Sequence, residues 1–226
     1  LPISATGLPA TAAVACAPAF SEPADTTYLP PLDLDHSDVS VIVCTRDRAD
    51  AIDRCLSALA LCDPPPGEIV IVNNDPDPDA LAPLVTTYPN MRFVHETRPG
   101  LASARNAGIR ASSGKVLAFT DDDVSVAPNC IAARLRPFAE PSIAIVTGPV
   151  LPARLETAAE FAFEFDIGGL ASSLVPSFFD KSFLDTSFGD APPVWEIGAG
   201  ANMAIRADAL RQLGGFDERL GAGTSG

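Results

Sequence analysis

Three short apolar runs each stop at a knot of polar residues, and a stretch with helical spacing follows the first. Val39-Ser40-Val41-Ile42-Val43-Cys44 ends at Thr45-Arg46-Asp47, the run 68–72 ends at Asn73-Asn74-Asp75, and the run 116–120 ends at Asp121-Asp122-Asp123. Near-continuous β-branched runs of this length suit strands buried on both faces. Ile52, Cys55, Leu56 and Leu59 then recur at helical spacing, as on the apolar face of a helix. The same reading predicts helices over 50–60, 81–88, 101–111 and 129–138, and further strands over 92–95 and 143–147. A helix over 155–165 is also expected. Strands alternating with helices through short connections predict an α/β layer with a mostly parallel central sheet and helices on both faces. In such sheets ligands lie at the carboxyl ends of the strands, so the three polar knots should converge on one edge.

The flanks look different. Residues 1–38 contain six prolines and five acidic residues with no Lys or Arg, which reads as a flexible leader. No basic stretch precedes its apolar part, and Pro2, Pro9 and Pro18 interrupt it, so a leader is preferred to a signal peptide. The chain stops in a Gly/Ser tail, as a piece of a longer protein would. From residue 155 to Trp195 no single period governs, although seven of the twelve phenylalanines fall there. They are expected to pack in a core or lid; the alternative is an apolar binding groove or peripheral contact with a membrane.

Charge and cysteine usage narrow the function classes. With 15 basic against 29 acidic residues and a net charge of -14, nucleic acid is not an expected partner. Five cysteines without a Cys-x-x-Cys, and two histidines, argue against a zinc site. Reduced thiols in a cytoplasmic protein are expected. No apolar run approaches the ~18 residues of a membrane helix.

Several motif matches fail in context. The stretch 221–226 spells Gly-x-Gly-x-x-Gly but neither follows a strand nor opens a helix. The stretch 108–115 has one residue too many for a phosphate loop, and Val116 where Ser or Thr is needed. Asp75, Asp77 and Asp79 resemble the start of a calcium loop, but Ala80 and Thr86 stand where Gly and Glu are required. The acidic triplet at 121–123 is the informative site. Three carboxylates at a strand end repel one another unless a cation or donors neutralise them. Hard oxygen ligands suit Mg²⁺ or Mn²⁺, ions that keep waters and accept phosphate oxygens. The plainer reading is a solvated turn whose Asp residues cap the next helix.

Taken in order, the segments resemble a family 2 glycosyltransferase with the GT-A fold, over about residues 39–226. The carriers are 39–48, 68–75, Arg98-Pro99-Gly100-Leu101-Ala102-Ser103-Ala104-Arg105-Asn106-Ala107-Gly108, 118–124, 198–206 and Gly214-Gly215-Phe216-Asp217-Glu218. The resemblance implies a Rossmann-like nucleotide-binding half, 39–150, and an acceptor-side half, 151–226. It implies that Asp121 and Asp123 form an Asp-x-Asp pair, with Asp123 on a divalent ion and Asp121 near the ribose. Thr45 and Arg46 would line the nucleotide pocket, while Arg105 and Asn106 would lie near the diphosphate. Arg98, at the entrance of that segment, could take a phosphate. Gly200 and Asn202 would sit on the acceptor side, with Trp195 a candidate sugar-stacking residue. The implied partners are a nucleoside-diphosphate sugar and a saccharide or lipid-linked acceptor, and the implied reaction is inverting transfer.

Two departures qualify this. The family's base-contacting Asp is Asn73 here, with Asp75 as a substitute two residues on. The general base is expected on a Glu-Asp pair beyond Gly226, so little transfer is expected of these 226 residues alone. Two other classes remain: a non-catalytic nucleotide-sugar-binding module, and an Asp-x-Asp phosphohydrolase, which wants a supporting lysine where only Lys115 and Lys181 exist.

Overall fold

The computed structural model describes residues 33–170, 175–180, 183 and 196–223. Residues 1–32, most of the expected leader, lie outside that set. Its last residues form a short 3₁₀ turn, His36–Asp38, that Asp35 caps in a capping box.

Six strands form one sheet: β1 (Val39–Thr45), β2 (Glu68–Asn73), β3 (Arg92–His95), β4 (Val116–Asp121), β5 (Ile145–Thr147) and β6 (Met203–Arg206). Their order is β3-β2-β1-β4-β6-β5. Strands β3, β2, β1 and β4 run parallel. Strand β6 pairs antiparallel with both β4 and β5. The helices are α1 (Ala49–Ala60), α2 (Ala82–Thr87), α3 (Leu101–Ala111), α4 (Cys130–Leu135), α5 (Ala158–Phe161) and α6 (Ala207–Gln212).

Burial on both faces explains the apolar runs. On one face Val41, Val43, Ile71 and Ala118 meet Ile52, Leu56 and Leu59 of α1 and Ile131 and Leu135 of α4. On the other, Ile42, Val70, Val72, Leu117 and Phe119 meet Ala104 and Ala107 of α3 and Leu210 of α6. Alternate strand residues thus feed two cores, which a two-sided layer requires.

Two helices and the phenylalanine-rich stretch differ from the sequence expectation. The helix expected over 129–138 ends at Leu135 and tightens into a 3₁₀ turn, Arg136–Ala139, because Pro137 has no N–H for the α-helical ladder. The helix expected over 155–165 starts later, where Thr157 and Glu160 form a capping box, and relaxes into a π turn, Ala162–Ile167, ended by left-handed Gly168. The described phenylalanines of this stretch are not core residues: none of residues 151–170 is buried, nor are Phe178, Phe179 and Phe183. Phe165 is 70% exposed and Phe178 82% exposed.

Candidate functional site

Strand order reverses between β1 and β4, with β2 and β3 to one side and β6 and β5 to the other. A crevice opens outside the strand ends at such a switch point. Cys44 is in register with Asp121 there, and Thr45 with Asn73. The three polar knots converge as expected.

The triplet divides into one buried and two outward carboxylates. Asp122 is 5% exposed. It accepts a 2.6 Å hydrogen bond from Thr45 Oγ1 and a 3.2 Å contact from Arg48 Nη1. The same Nη1 reaches Asp123 Oδ2 at 3.0 Å. The side chains of Asp121 and Asp123 are 42% and 56% exposed. Burial raises the Asp121 carboxyl above the usual range; the Arg105 guanidinium, 3.6 Å away, opposes this. Beneath the turn, Cys55 Sγ lies 3.5 Å from the Asp121 carbonyl oxygen. Burial pushes the Cys44 and Cys55 thiols up to about 12, so neither is a thiolate nucleophile.

The β2 end is held by its two asparagines. Asn73 Nδ2 donates to the carbonyls of Asp77 and Pro78, and its Oδ1 accepts from the Asp75 N–H. The side chain expected to read a base is therefore occupied closing its own loop. Asp75 stays half-buried beside it, and its Oδ1 accepts from the Asp77 N–H. Asn74 Nδ2 donates to the carbonyls of Glu96 and Arg98, and its Oδ1 accepts from the Gly100 N–H. Asn74 thereby fixes the loop that launches α3.

From α3 the chain reaches its late segment. Arg105 lies over the Phe216 ring, 5.4 Å from the centroid. A Cβ on Gly200 would stand 2.8 Å from Arg105 Nη2. Arg105 thus joins Asp121 of β4 to residues on both sides of β6. Asn106 instead clamps the segment 216–218: its Nδ2 donates to Phe216 O and Glu218 Oε1, and its Oδ1 accepts from Phe216 N–H. Arg98 pairs with Glu96 at 3.0 Å and Glu218 at 2.6 Å. The Arg98 hydrogen bonds foremost, with the charge of Arg110 at 3.1 Å, hold Glu96 down to about 2. Arg46 is exposed at the mouth. Asn202 is 2% exposed; Arg134 Nε donates to its Oδ1, and its Nδ2 donates to Pro149 O. It braces the backbone at 148–149 from within. Trp195 lies outside the described residues.

Among the described residues no three His, Cys, Asp or Glu groups form a metal cage. Asp122 faces Thr45, which leaves Asp121 and Asp123 for any ion. One or two carboxylates with waters and phosphate oxygens is an ordinary set for Mg²⁺ or Mn²⁺. The outward pair fits such an ion.

Sequence reasoning missed Arg48, the division of labour within the triplet, and the Glu96–Arg98–Glu218 network. Arg48 sat in view, three residues past the end of β1, but its reach across to β4 depends on the turn. That turn includes Asp47 at φ 56°, a left-handed conformation that Asp tolerates better than most residues.

Comparison with known proteins adds an independent line. The family model described as Glycosyl transferase family 2 matches residues 40–213. The glycosyltransferase AglE of Haloferax volcanii is 25% identical over 191 residues, covering 82% of this chain and 58% of its own. The pre-mycofactocin glycosyltransferase of Mycobacterium tuberculosis is 28% identical over 205 residues, covering 86% of this chain and 38% of its own. The chain therefore spans about half the length of the curated relatives it matches. Among solved structures, the mannosyltransferase PcManGT from Pyrobaculum calidifontis, in complex with GDP-Man and Mn²⁺, superposes with a TM-score of 0.54. It shares 24% identity and covers 87% of this chain and 53% of its own. The TarS structure from S. aureus with UDP-GlcNAc gives a TM-score of 0.53 at 17% identity, covering 80% of this chain and 49% of its own. The architecture is that of the GT-A glycosyltransferases.

Proposed function

Because the chain belongs to glycosyl transferase family 2, we propose that it carries the donor-binding centre of an enzyme that moves a sugar from a nucleoside diphosphate to an acceptor hydroxyl. The observation that carries this reading is the sorting of the triplet at the strand-order switch. Asp122 turns inward to Thr45 and Arg48, while the side chains of Asp121 and Asp123 stay exposed, beside Arg105 and Arg48.

Each residue has a role in this reading. Asp123 and Asp121 would hold a divalent ion, Mg²⁺ or Mn²⁺. Bound there, such an ion would supply charge neutralisation for the departing diphosphate. Asp122 keeps the turn rigid, so the outward carboxylates are presented without reorganisation. Arg105, held between Asp121 and Phe216, is the guanidinium best placed to meet phosphate oxygens. Arg46 lies exposed at the same mouth. Asn73 shapes the floor of the base subsite through its loop, and Asp75 is the nearer carboxylate for a base contact. Arg98 and Asn106 act by bracing the segment 214–218 instead of touching the donor. The segment 200–202, braced by Asn202, would face the acceptor, a saccharide or lipid-linked sugar. Transfer would be inverting, by direct displacement at the anomeric carbon. No residue among those described is assigned the general base.

The phosphohydrolase reading is not favoured. Lys115 stands before the opposite end of β4 and pairs with Asp38 at 2.9 Å, while Lys181 lies outside the described residues. A thermal-shift panel of UDP, GDP, dTDP and CDP, each with Mn²⁺ or EDTA, tests the proposal. A ligand at ~100 times its Kd adds about 2.7 kcal/mol of stability. The expected result is a Mn²⁺-dependent shift with one nucleotide, lost in Asp123→Ala. No shift with any nucleotide, or an equal shift in Asp123→Ala, would overturn it.

A further inference from the structure

Asp123, the carboxylate placed to take a divalent ion, already holds a cation. Arg48 Nη1 lies 3.0 Å from its Oδ2 and 3.2 Å from Asp122 Oδ1, so one guanidinium nitrogen bridges both carboxylates. The backbone puts it there. Arg48 precedes α1, and its carbonyl accepts from the N–H groups of Ala51 and Ile52. The preceding Asp47 at φ 56° completes the turn out of β1. The root of the side chain is thus fixed, while its head is half exposed, at 56%.

The two contacts are unequal. Asp122 is buried and also accepts from Thr45 Oγ1, so its geometry is set from both sides. Asp123 is exposed, and its pairing with Arg48 can open without breaking anything buried. A guanidinium stays protonated throughout the working pH range, so pH will not remove it. A divalent ion must instead compete with it for the same oxygen, against the repulsion of a fixed positive charge. The anionic diphosphate of a donor offers Arg48 another partner, and the contact to Asp122 keeps the side chain nearby.

Resting on the donor-site reading above, we propose that Arg48 is the resident counter-cation of Asp123. It weakens divalent-ion binding while no diphosphate is present, and a diphosphate draws it away. Metal and diphosphate then bind with positive coupling, because each relieves a cost that the other meets when binding alone.

The test measures Mn²⁺ affinity by electron paramagnetic resonance without nucleotide, in wild type, Arg48→Gln, Arg48→Lys and Asp123→Ala. Removing a half-exposed positive charge beside the ion should tighten Mn²⁺ binding roughly three- to tenfold in Arg48→Gln. Structural damage does not produce a gain of affinity. Arg48→Lys keeps the charge and should bind Mn²⁺ less tightly than Arg48→Gln. Repeating the titration with a saturating nucleoside diphosphate should show a smaller Mn²⁺ enhancement in Arg48→Gln than in wild type. Mn²⁺ binding that is unchanged or weaker in Arg48→Gln, or absent from both it and wild type, overturns the inference. Equal and measurable Mn²⁺ affinity in wild type and Asp123→Ala would instead remove the metal assignment itself, so the two failures are distinguishable.

Discussion

Replacing the middle aspartate of the triplet should damage the fold, while replacing the last should not, although their chemistry is identical. Asp122→Ala removes a buried carboxylate that accepts from Thr45 Oγ1 at 2.6 Å and pairs with Arg48 at 3.2 Å. A hydrogen bond to a charged group contributes about 1.5–3 kcal/mol, and a buried hydroxyl left unpartnered costs a similar amount. Thr45 is 4% exposed, so its hydroxyl has little access to water after the change. The Arg48 pair adds little, because a half-exposed ion pair is worth about 0–1 kcal/mol. Together these give a loss of about 2–4 kcal/mol, or a fall in Tm of roughly 5–15 °C for a domain of this size. Asp123→Ala truncates an exposed side chain whose partner is also exposed, so its stability should stay within about 0.5 kcal/mol of wild type. Urea unfolding followed by circular dichroism measures both. An Asp122→Ala protein within about 1 kcal/mol of wild type, or an Asp123→Ala protein that loses as much as Asp122→Ala, would refute the division between a structural and a ligand-facing carboxylate.

Other perturbations follow from the same contacts. Gly215 has φ +87°, and a Cβ there would stand 2.5 Å from Asn106 Oδ1; Gly215→Ala should therefore destabilise by about 2–3 kcal/mol in urea unfolding, and a neutral result would deny the clamp. Gly200→Ala should push the Arg105 guanidinium aside at little cost in Tm, because the atom it meets ends a flexible side chain; nucleoside-diphosphate affinity should fall about fivefold, equivalent to ~1 kcal/mol, and unchanged affinity by calorimetry would place Arg105 outside the donor site. Glu96 is depressed from the ordinary 4.5 to about 2 in the folded state. Its contribution is therefore fully present above the unfolded value and lost as pH falls from about 4.5 toward 2, on the order of 2 kcal/mol after allowing for its half-exposed arginines. Glu96→Gln should flatten stability against pH in that window, and an unaltered slope would contradict the assignment.

What could be read from the sequence was whatever depends on neighbours along the chain. Strands β1, β2 and β4 announced themselves because both faces are buried, leaving runs such as Val39–Cys44 almost wholly apolar. Their polar ends converged because a parallel sheet aligns its carboxyl edges. Strand β6 was not anticipated as an element: only Ala204 and Ile205 of its residues are buried, and its place is set by antiparallel pairing with β4 and β5, both distant in sequence. The convergence of the polar strand ends was legible, but the partners of their side chains were not. Asn73 ends β2 and Asn106 lies on α3, yet their amides are consumed by backbone at 77–78 and at 216. Those partners are set by loop closure and by a contact 110 residues away. Nothing local distinguishes Asp122 from its neighbours either. A strand alternates its side chains, but which way the turn after β4 faces is decided by Thr45, on another strand.

The central claim is that the outward pair at the β1–β4 switch holds a divalent ion. An anomalous difference map from crystals of the chain grown with Mn²⁺ and a nucleoside diphosphate tests it most directly. The account predicts a peak at a coordination distance of about 2 Å from the Asp123 carboxylate, with Asp122 still bonded to Thr45 and Arg48 withdrawn from Asp123. A peak coordinated by Asp122, or a nucleotide bound at this edge with no metal peak beside it, would contradict the account.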